Sequence, residues 1–342
     1  MEFTVSRNFT SWLANCGISL AFTAYEVGRL MLLGHTRDGR VSLYERHYPR
    51  CMGLHATSSG FYMGGIAHIW RFQDFGPDYA GKGGYDAAFL PVQTWTVGDL
   101  DIHDVTLDGN GAPIFASTNF NCIAGLSETA SFRPIWKPPF IDRLVYEDRC
   151  HLNGLTCAPD GALFATAFSK TNSLEGWRNV GTGQGVIFNV SAGEDLAQGL
   201  TMPHSPRVQG EHVYFLESGT GLLKRAKISN GSVDEIALIP GYCRGLSFLG
   251  GYAIVASSTE REGRSFDGLP LSETLAKSQQ PPRCGLFIVN LSTGAIEHYF
   301  QISGEVSQIF DVCVIQGCTQ PMLYGANVDQ LKLLVKPGVP IA

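Results

Sequence analysis

The feature that most constrains the fold is a short apolar strand that recurs along the chain and follows a tight turn each time. Seven such strand starts can be identified, and their spacing is close to the ~40–50-residue period of propeller blades with insertions. They lie at residues 16–20, 52–54, 103–107, 153–156, 206–208, 244–248 and 310–314.

Most of these strands lead through a glycine-containing turn into a second strand, as Asp160-Gly161 does before Leu163, and further strands follow. Continuous strand–turn–strand units without a long helical stripe are typical of four-stranded antiparallel blades. We therefore expect an all-β β-propeller of seven blades, each with four antiparallel strands. A six-bladed ring is the alternative if one unit has been miscounted.

A ring of blades must close, because an open ring leaves two sheet edges free to aggregate. The C-terminal unit, with strands near 322–325 and 331–335, is one strand short, and Phe3-Thr4-Val5 can supply it. The sequence thus predicts a single domain over residues 1–342, closed by pairing of N-terminal and C-terminal strands.

Composition restricts the class of partner. Hydrophobic residues make up 44% of the chain and the net charge is −6, so neither disorder nor binding to a phosphate backbone is expected. No apolar run reaches the roughly 18 residues of a membrane span. The N-terminus shows no basic region before an apolar run, and the nine cysteines form no Cys-x-x-Cys pair, so we expect a cytoplasmic protein with reduced thiols.

Long polar connections mark one face of the ring as functional. Connections between second and third strands, such as 168–185 and 257–284, share a face with the turns into the innermost strands. Long loops on a rigid scaffold commonly carry function. Residues 257–284 are expected to form a lid over this face.

The turns into three innermost strands each bring a histidine, and inner strands line the channel of a propeller. His103, His151 and His204 are therefore expected to point into one volume and to bind a divalent ion, either zinc, iron or another transition metal. The other predicted site residues are Glu217, Asp311 and Asp104 as acid–base or orienting groups, and Arg207, Arg244, Arg149 and Trp177 as substrate-binding groups.

Three interpretations of the histidines remain open at this stage: a metal site, metal-free acid–base catalysis, and a structural belt between inner strands. The first two indicate a lyase, isomerase or hydrolase acting on a small polar or anionic molecule at the channel mouth. Residues 181–185 lack the lysine of a phosphate loop, so no nucleotide cofactor is expected. The alternative function is a non-catalytic propeller that binds a protein or ligand on the same face.

Several motifs together resemble an uncharacterised bacterial family that carries a domain of unknown function. They are GDLDIHD at 98–104, RCHLNG at 149–154, MPHSPR at 202–207, ESGTG at 217–221 and RGL at 244–246. This resemblance implies no activity. More distantly, the layout is similar to propeller enzymes that act at the channel mouth, including lactonases, streptogramin-type lyases and an amidating lyase with histidine-bound zinc, which favours an enzyme by analogy of fold.

Overall fold

The computed structural model describes residues 1–259, 268–332 and 334–338. Within these residues the strands form six separate sheets of four or five strands, almost all antiparallel. The innermost strands of successive sheets contact one another around a closed circle. The predicted all-β propeller is confirmed, and the ring has six blades, which was the alternative to the expected seven.

The strands are numbered in chain order. The first thirteen are β1 (Glu2–Val5), β2 (Ile18–Ala24), β3 (Arg29–His35), β4 (Val41–His47), β5 (Leu54–Thr57), β6 (Gly60–Gly64), β7 (His68–Asp74), β8 (Ala87–Thr96), β9 (Ile102–Leu107), β10 (Pro113–Ser117), β11 (Cys122–Gly125), β12 (Arg133–Trp136) and β13 (Leu152–Cys157). The others are β14 (Leu163–Ala167), β15 (Gly185–Asn189), β16 (Glu194–Leu200), β17 (Pro203–Gln209), β18 (His212–Glu217), β19 (Leu222–Lys227), β20 (Val233–Leu238), β21 (Tyr242–Leu249), β22 (Tyr252–Ser258), β23 (Gly285–Asn290), β24 (Ile296–Ser303), β25 (Val312–Gln316) and β26 (Pro321–Leu323).

The four central strands of each blade are consecutive in the chain except in blade 1, and two blades gain a fifth strand from elsewhere. Blade 1 has the order β25-β2-β3-β4, blade 2 is β5 to β8 with β26 added, and blade 3 is β9 to β12. Blade 4 is β13 to β16, blade 5 is β17 to β20, and blade 6 is β21 to β24 with β1 added. The described residues also form three short α-helices outside the blades: α1 (Phe9–Cys16), α2 (Pro270–Ser278) and α3 (Val328–Leu331).

Blade 1 explains why seven blades were expected. Its innermost strand, β25, comes from the C-terminal part of the chain and pairs antiparallel with β2, from Ile18 opposite Gln316 to Phe22 opposite Val312. The apolar segments at 16–20 and 310–314 therefore belong to one blade, and the sequence pattern counted that blade twice. This pairing joins the two ends of the ring.

The extreme N-terminal strand has a different role from the one expected. Strand β1 pairs antiparallel with β24, Glu2 opposite Ser303, and so forms a fifth strand on the outer edge of blade 6. Strand β26 extends blade 2 in the same way but parallel, with Pro321 opposite Ala87. The strand expected near 331–335 is not formed in the residues described there, since α3 ends at Leu331. Both added strands cover backbone groups that would otherwise be exposed at a sheet edge.

Apolar faces of neighbouring blades form the core. One buried cluster joins Tyr214 and Leu216 of blade 5 to Leu246 and Val255 of blade 6, and comparable clusters lie between other blades. The innermost strands also bury polar side chains, including Asp104 and Asp311. Burial of the apolar faces, worth roughly 25 cal/mol per Å², makes the blades a rigid frame around these polar groups.

The state of the cysteines and the character of the helices can be described from the structure. All nine cysteines fall within the described residues, and each has a free thiol. No helix in the described parts of the chain has the length and apolar character needed to cross a bilayer.

Candidate functional site

Three histidines line one cavity at an end of the central channel. His103 and His204 are the second residues of β9 and β17, and His151 immediately precedes β13. All three border a cavity of about 170 Å³. Because β9, β13 and β17 are consecutive innermost strands, side chains at their beginnings can reach the same volume even though His151 lies outside its strand.

The protonated nitrogen of His103 can be assigned from its neighbours. Its Nδ1 lies 3.0 Å from the carbonyl oxygen of Asp101 and 2.9 Å from Oγ1 of Thr118. The Thr118 hydroxyl donates its own proton to the carbonyl of Leu152, at 2.7 Å. Since both carbonyl oxygens can only accept, Nδ1 of His103 must carry the hydrogen and Nε2 of the neutral ring must be bare.

His204 is held in the same way two blades further on. Its Nδ1 lies 3.1 Å from the carbonyl oxygen of Met202 and 2.7 Å from Oγ of Ser218. The Ser218 hydroxyl in turn donates to the carbonyl of Cys243, on the innermost strand of the next blade. Nδ1 of His204 therefore carries the hydrogen, and Nε2 is again bare.

His151 is held by a carboxylate instead. Asp148 accepts the backbone N–H of His151 at 2.9 Å and lies 2.7 Å from its Nδ1. The indole N–H of Trp177 donates to the same carboxylate oxygen at 2.7 Å, and the Trp177 ring lies 4.3 Å from the imidazole, centroid to centroid. His151 has a φ of 54°, in the left-handed region, so its backbone adopts a conformation that L-residues rarely take. Asp148 and Trp177 thus hold the imidazole of His151 in one orientation.

The rings of the site are arranged in a row. His103 and His151 meet nearly edge to face at 4.9 Å between centroids. The ring of Phe168 lies 4.4 Å from His151 and 5.1 Å from His204. Among the described residues, no group of three or more His, Cys, Asp and Glu side chains is arranged to hold a metal ion. Metal binding by the three histidines therefore stays a prediction.

Burial sets the protonation of two of these rings. Desolvation lowers the pKa of His103, with the Asp101 carboxylate opposing it. Desolvation also lowers the pKa of His204 well below its usual value, and the charge on Arg244 acts in the same direction. Both imidazoles are therefore neutral at pH 7, in agreement with the bare Nε2 atoms assigned from the hydrogen bonds.

Arginine side chains supply positive charge to the cavity wall. Arg50 pairs with Asp99 and Asp101, and Arg244 donates to Gln308 at 3.3 Å. The guanidinium carbon of Arg244 also lies 4.9–5.4 Å from the centroids of three aromatic rings, those of Tyr25, Tyr242 and Phe310. Arg178 borders the cavity as well. A guanidinium stacked on aromatic rings is held in a fixed orientation, which suits it to bind a planar anionic group.

Sequence reasoning missed several members of this wall, namely Tyr25, Arg50, Asp101, Asp148 and Phe168. A signal for two of them existed, since Asp101 stands two residues before His103 and Asp148 three residues before His151. A carboxylate two or three residues before each of these histidines could have indicated them.

Three predicted site residues lie deeper in the channel. The guanidinium of Arg207 donates to both carboxylate oxygens of Asp104, at 2.8 and 3.2 Å, and lies 3.5 Å from Asp311. Each carboxylate is next in sequence to a residue of the histidine cavity, His103 or Phe310. Arg207 instead borders a separate cavity of about 220 Å³ on the opposite face. This ion cluster therefore lies between the two cavities.

Three others lie outside the lining of the histidine cavity. Glu217 accepts the backbone N–H of Thr201 at 2.7 Å and pairs with Lys224 at 2.6 Å. Arg149 pairs with Asp142 and Glu147. Trp177 supports His151 from behind, as described above. Of the predicted substrate-binding residues, Arg244 is the one that borders this cavity.

The lid expected at 257–284 falls partly on residues 260–267, which lie outside the described residues. The described part contains α2, and its residues Leu271 and Leu275 pack against Tyr242, which borders the cavity. This helix thus contributes to the support of the cavity wall.

Comparisons with known proteins bear on family and fold. A family model described as a domain of unknown function (DUF4915) matches residues 7–324. A search of curated proteins finds no match. Among solved structures, a nidogen/laminin complex is 13% identical, covers 88% of this chain and 99% of that chain, and has a TM-score of 0.57.

Two further structures share less of the geometry. A protein of unknown function from Bacteroides caccae is 8% identical over 87% of this chain and 99% of that one, with a TM-score of 0.49. A catalytically inactive virginiamycin B lyase from Staphylococcus aureus, with quinupristin, is 15% identical over 88% of this chain and 100% of that one, with a TM-score of 0.40. At such identities the likeness concerns the fold alone.

Proposed function

Since the chain belongs to the DUF4915 family, whose description names no activity, we propose a function from the cavity itself: an enzyme that moves a proton on a small anionic molecule. The supporting observation is that three histidines border one cavity with Nδ1 of each ring engaged in a hydrogen bond. Among the described residues, Nε2 of His103, His151 and His204 has no hydrogen-bond partner, so each ring has a nitrogen available to a ligand.

His151 is proposed as the general base. Asp148 accepts the Nδ1 hydrogen, which orients the ring and stabilises the imidazolium that forms when Nε2 takes a proton. His103 and His204 are neutral, so they remain hydrogen-bond acceptors beside it. Abstraction of a proton next to a carboxylate, as in a lyase or isomerase, uses this set of groups, and a hydrolase would use the same base to activate water.

Arg244 is proposed to hold the anionic group. Of the described residues that border the cavity, three are arginines, Arg50, Arg178 and Arg244, and two are carboxylates, Asp101 and Asp148. A guanidinium is a planar group that suits carboxylate recognition, and Arg244 borders the cavity, so it is placed to meet the anionic group. The cavity volume of about 170 Å³ corresponds to roughly six water molecules at 30 Å³ each, which limits the bound group to a few carbon atoms.

The alternative function, binding of a protein on the same face, is supported by two exposed apolar side chains. Tyr146 is 59% exposed and Leu174 is 63% exposed, and both lie on connections that flank the strands of blade 4. Recovery of one stoichiometric protein partner, without a bound small molecule, would favour this function over catalysis.

The catalytic proposal is tested first by binding and then by isotope exchange. Small carboxylates and phosphates are screened for those that raise the unfolding temperature of the purified protein. Each such compound is then incubated with the protein in D₂O, and loss of a carbon-bound proton is followed by NMR. We expect exchange with the wild type, and a loss of at least tenfold in rate with His151→Gln.

The matched control is His212→Gln, which alters a histidine of β18 that does not border the cavity. It should exchange at the wild-type rate. Failure of every compound to bind, or equal exchange rates in the wild type and His151→Gln, would contradict the proposal.

A further inference from the structure

Two hydroxyl side chains perform the same task in two blades. Thr118 and Ser218 each accept the Nδ1 hydrogen of a cavity histidine and each donate to a backbone carbonyl at the start of the next blade, that of Leu152 or Cys243. Both hydroxyls are fully buried, at 0% exposure. Each hydroxyl therefore fixes the tautomer of its histidine and connects that histidine to the neighbouring blade.

From this arrangement we propose that the cavity binds a small hydroxycarboxylate, whose hydroxyl groups donate to Nε2 of His103 and His204. Thr118 and Ser218 are positioning residues in this proposal, because they act through the histidines. The proposal rests on the function proposed above and adds the chemical class of its ligand.

The direction of the hydrogen bonds excludes simpler ligands. A neutral imidazole with its hydrogen on Nδ1 can only accept at Nε2, so the ligand must donate to both rings. Acetate and propionate carry acceptors only, so they would leave both Nε2 acceptors unsatisfied, and hydrogen phosphate has a single hydroxyl, which can donate to one of them. A ligand with two hydroxyl groups has one donor for each ring.

The charge of the wall distinguishes hydroxyl from ammonium donors. An ammonium group would also donate to Nε2, but it would enter a wall that already carries Arg50, Arg178 and Arg244. The two carboxylates among the described lining residues already have cationic or imidazole partners, since Asp101 pairs with Arg50 and Asp148 with His151. Hydroxyl groups avoid this repulsion, so a hydroxycarboxylate fits better than an amino acid.

Glycerate is the probe of suitable size, since it has one carboxylate and two hydroxyls on three carbon atoms. Its affinity is measured by NMR titration beside those of lactate, which lacks one hydroxyl, and propionate, which lacks both. We expect propionate to bind at least tenfold more weakly than glycerate, with lactate between them. Alanine tests the ammonium alternative and should bind more weakly than lactate.

The positioning role is tested with Ser218→Ala and Thr118→Val. Each should weaken glycerate binding about three- to tenfold and leave propionate binding within twofold, because propionate has no hydroxyl that could donate to Nε2 of the affected histidine. Ser247→Ala is the matched control, since it removes a hydroxyl from the opposite end of the channel. If Thr118→Val fails to fold, the smaller Ser218→Ala change provides the same comparison.

A second readout does not depend on any ligand or turnover. In ¹⁵N-labelled protein, an unprotonated imidazole nitrogen resonates well apart from a protonated one. We expect unprotonated Nε2 in His103 and His204, and a partial loss of that state for His204 in Ser218→Ala. Equal affinity for propionate and glycerate, no binding of glycerate at millimolar concentration, or protonated Nε2 atoms would overturn the inference. Glycerate binding without proton exchange would instead contradict the catalytic proposal alone.

Discussion

Asp104 and Asp311 make the same pair of backbone hydrogen bonds in different blades. Each carboxylate accepts the N–H of the following residue, Val105 or Val312, at 3.0 or 2.8 Å. Each also accepts the N–H of an innermost-strand residue in the next blade, at 3.1 Å for Asp104 and 2.7 Å for Asp311. Two equivalent carboxylates thus join blade 3 to blade 4 and blade 1 to blade 2.

Removal of Arg207 should destabilise the protein strongly, because it would leave these two buried carboxylates without their shared cation. We expect Arg207→Met to lower the free energy of unfolding by about 3 kcal/mol at pH 7.5, measured by urea denaturation. The loss should be smaller at pH 5.5, where protonation relieves the repulsion. Arg225→Met, which breaks an exposed ion pair with Asp234, should cost under about 1 kcal/mol; equal effects of the two changes would contradict this account.

The stability of the folded protein should fall as pH rises towards neutrality. Burial raises the pKa of Asp311 to about 7, and the nearby Asp104 carboxylate adds to this, whereas Arg207 opposes it. In the unfolded chain the same group titrates near 3.9. The folded state therefore binds the extra proton between about pH 4 and pH 7, and its stabilising effect is lost as pH rises through that window.

The variant that tests this pH dependence is Asp311→Asn, which cannot titrate. Its free energy of unfolding should fall less steeply between pH 5 and pH 7, by roughly 1 kcal/mol per pH unit less than that of the wild type. Asp234→Asn changes an exposed carboxylate and should keep the wild-type slope. Superimposable slopes for the wild type and Asp311→Asn would show that Asp311 does not titrate in this range.

Asp148 should matter for the rate of proton transfer more than for binding. In Asp148→Asn the amide cannot stabilise a positively charged His151 as a carboxylate does, so we expect proton exchange at least tenfold slower with ligand affinity changed less than threefold. Asp160→Asn, in a turn remote from the cavity lining, is the control. A loss of affinity with the rate of the bound complex unchanged would assign Asp148 to ligand binding instead.

The ends of the chain should differ in their importance for the ring. Deletion of residues 1–5 removes β1 from an outer edge, and we expect a cooperatively folding protein with free energy of unfolding lower by about 1–2 kcal/mol. Truncation after Phe310 removes β25, which pairs with β2, together with the edge strand β26, and the loss of β25 should prevent folding to a monomer. Gel filtration and circular dichroism distinguish these results; a folded monomer without β25 would refute the proposed closure.

Element analysis tests the metal prediction made from the sequence. Protein purified without a histidine tag should contain close to one transition-metal ion per chain, and His151→Ala/His204→Ala should lose it. Metal-free protein from metal-replete cells would contradict that prediction. The proton-transfer proposal would stand in that case, because His151 and Asp148 act in it without an ion.

The sequence was most informative about positions that repeat. The propeller followed from recurring apolar strands, and the approach of His103, His151 and His204 to one cavity followed from their place before or within innermost strands. The blade count failed because blade 1 combines the two ends of the chain, and β2 and β25 look equally like strand starts.

Side-chain direction was harder to predict, since successive residues of a strand point to opposite faces. Glu217 was expected in the site, yet its neighbour Ser218 is the residue that reaches His204. Arg50 was missed because its partners, Asp99 and Asp101, belong to another blade. Such pairings depend on how blades pack, which no local pattern in one sequence reveals.

The ion cluster of Asp104, Arg207 and Asp311 has a kinetic consequence for any molecule that enters the histidine cavity. Because the cluster occupies the middle of the channel, it separates the histidine cavity from the opposite face in the described part of the chain. A reactant must arrive, and its product must depart, by the same route. A product that still occupies the cavity would then compete with the reactant for the same space.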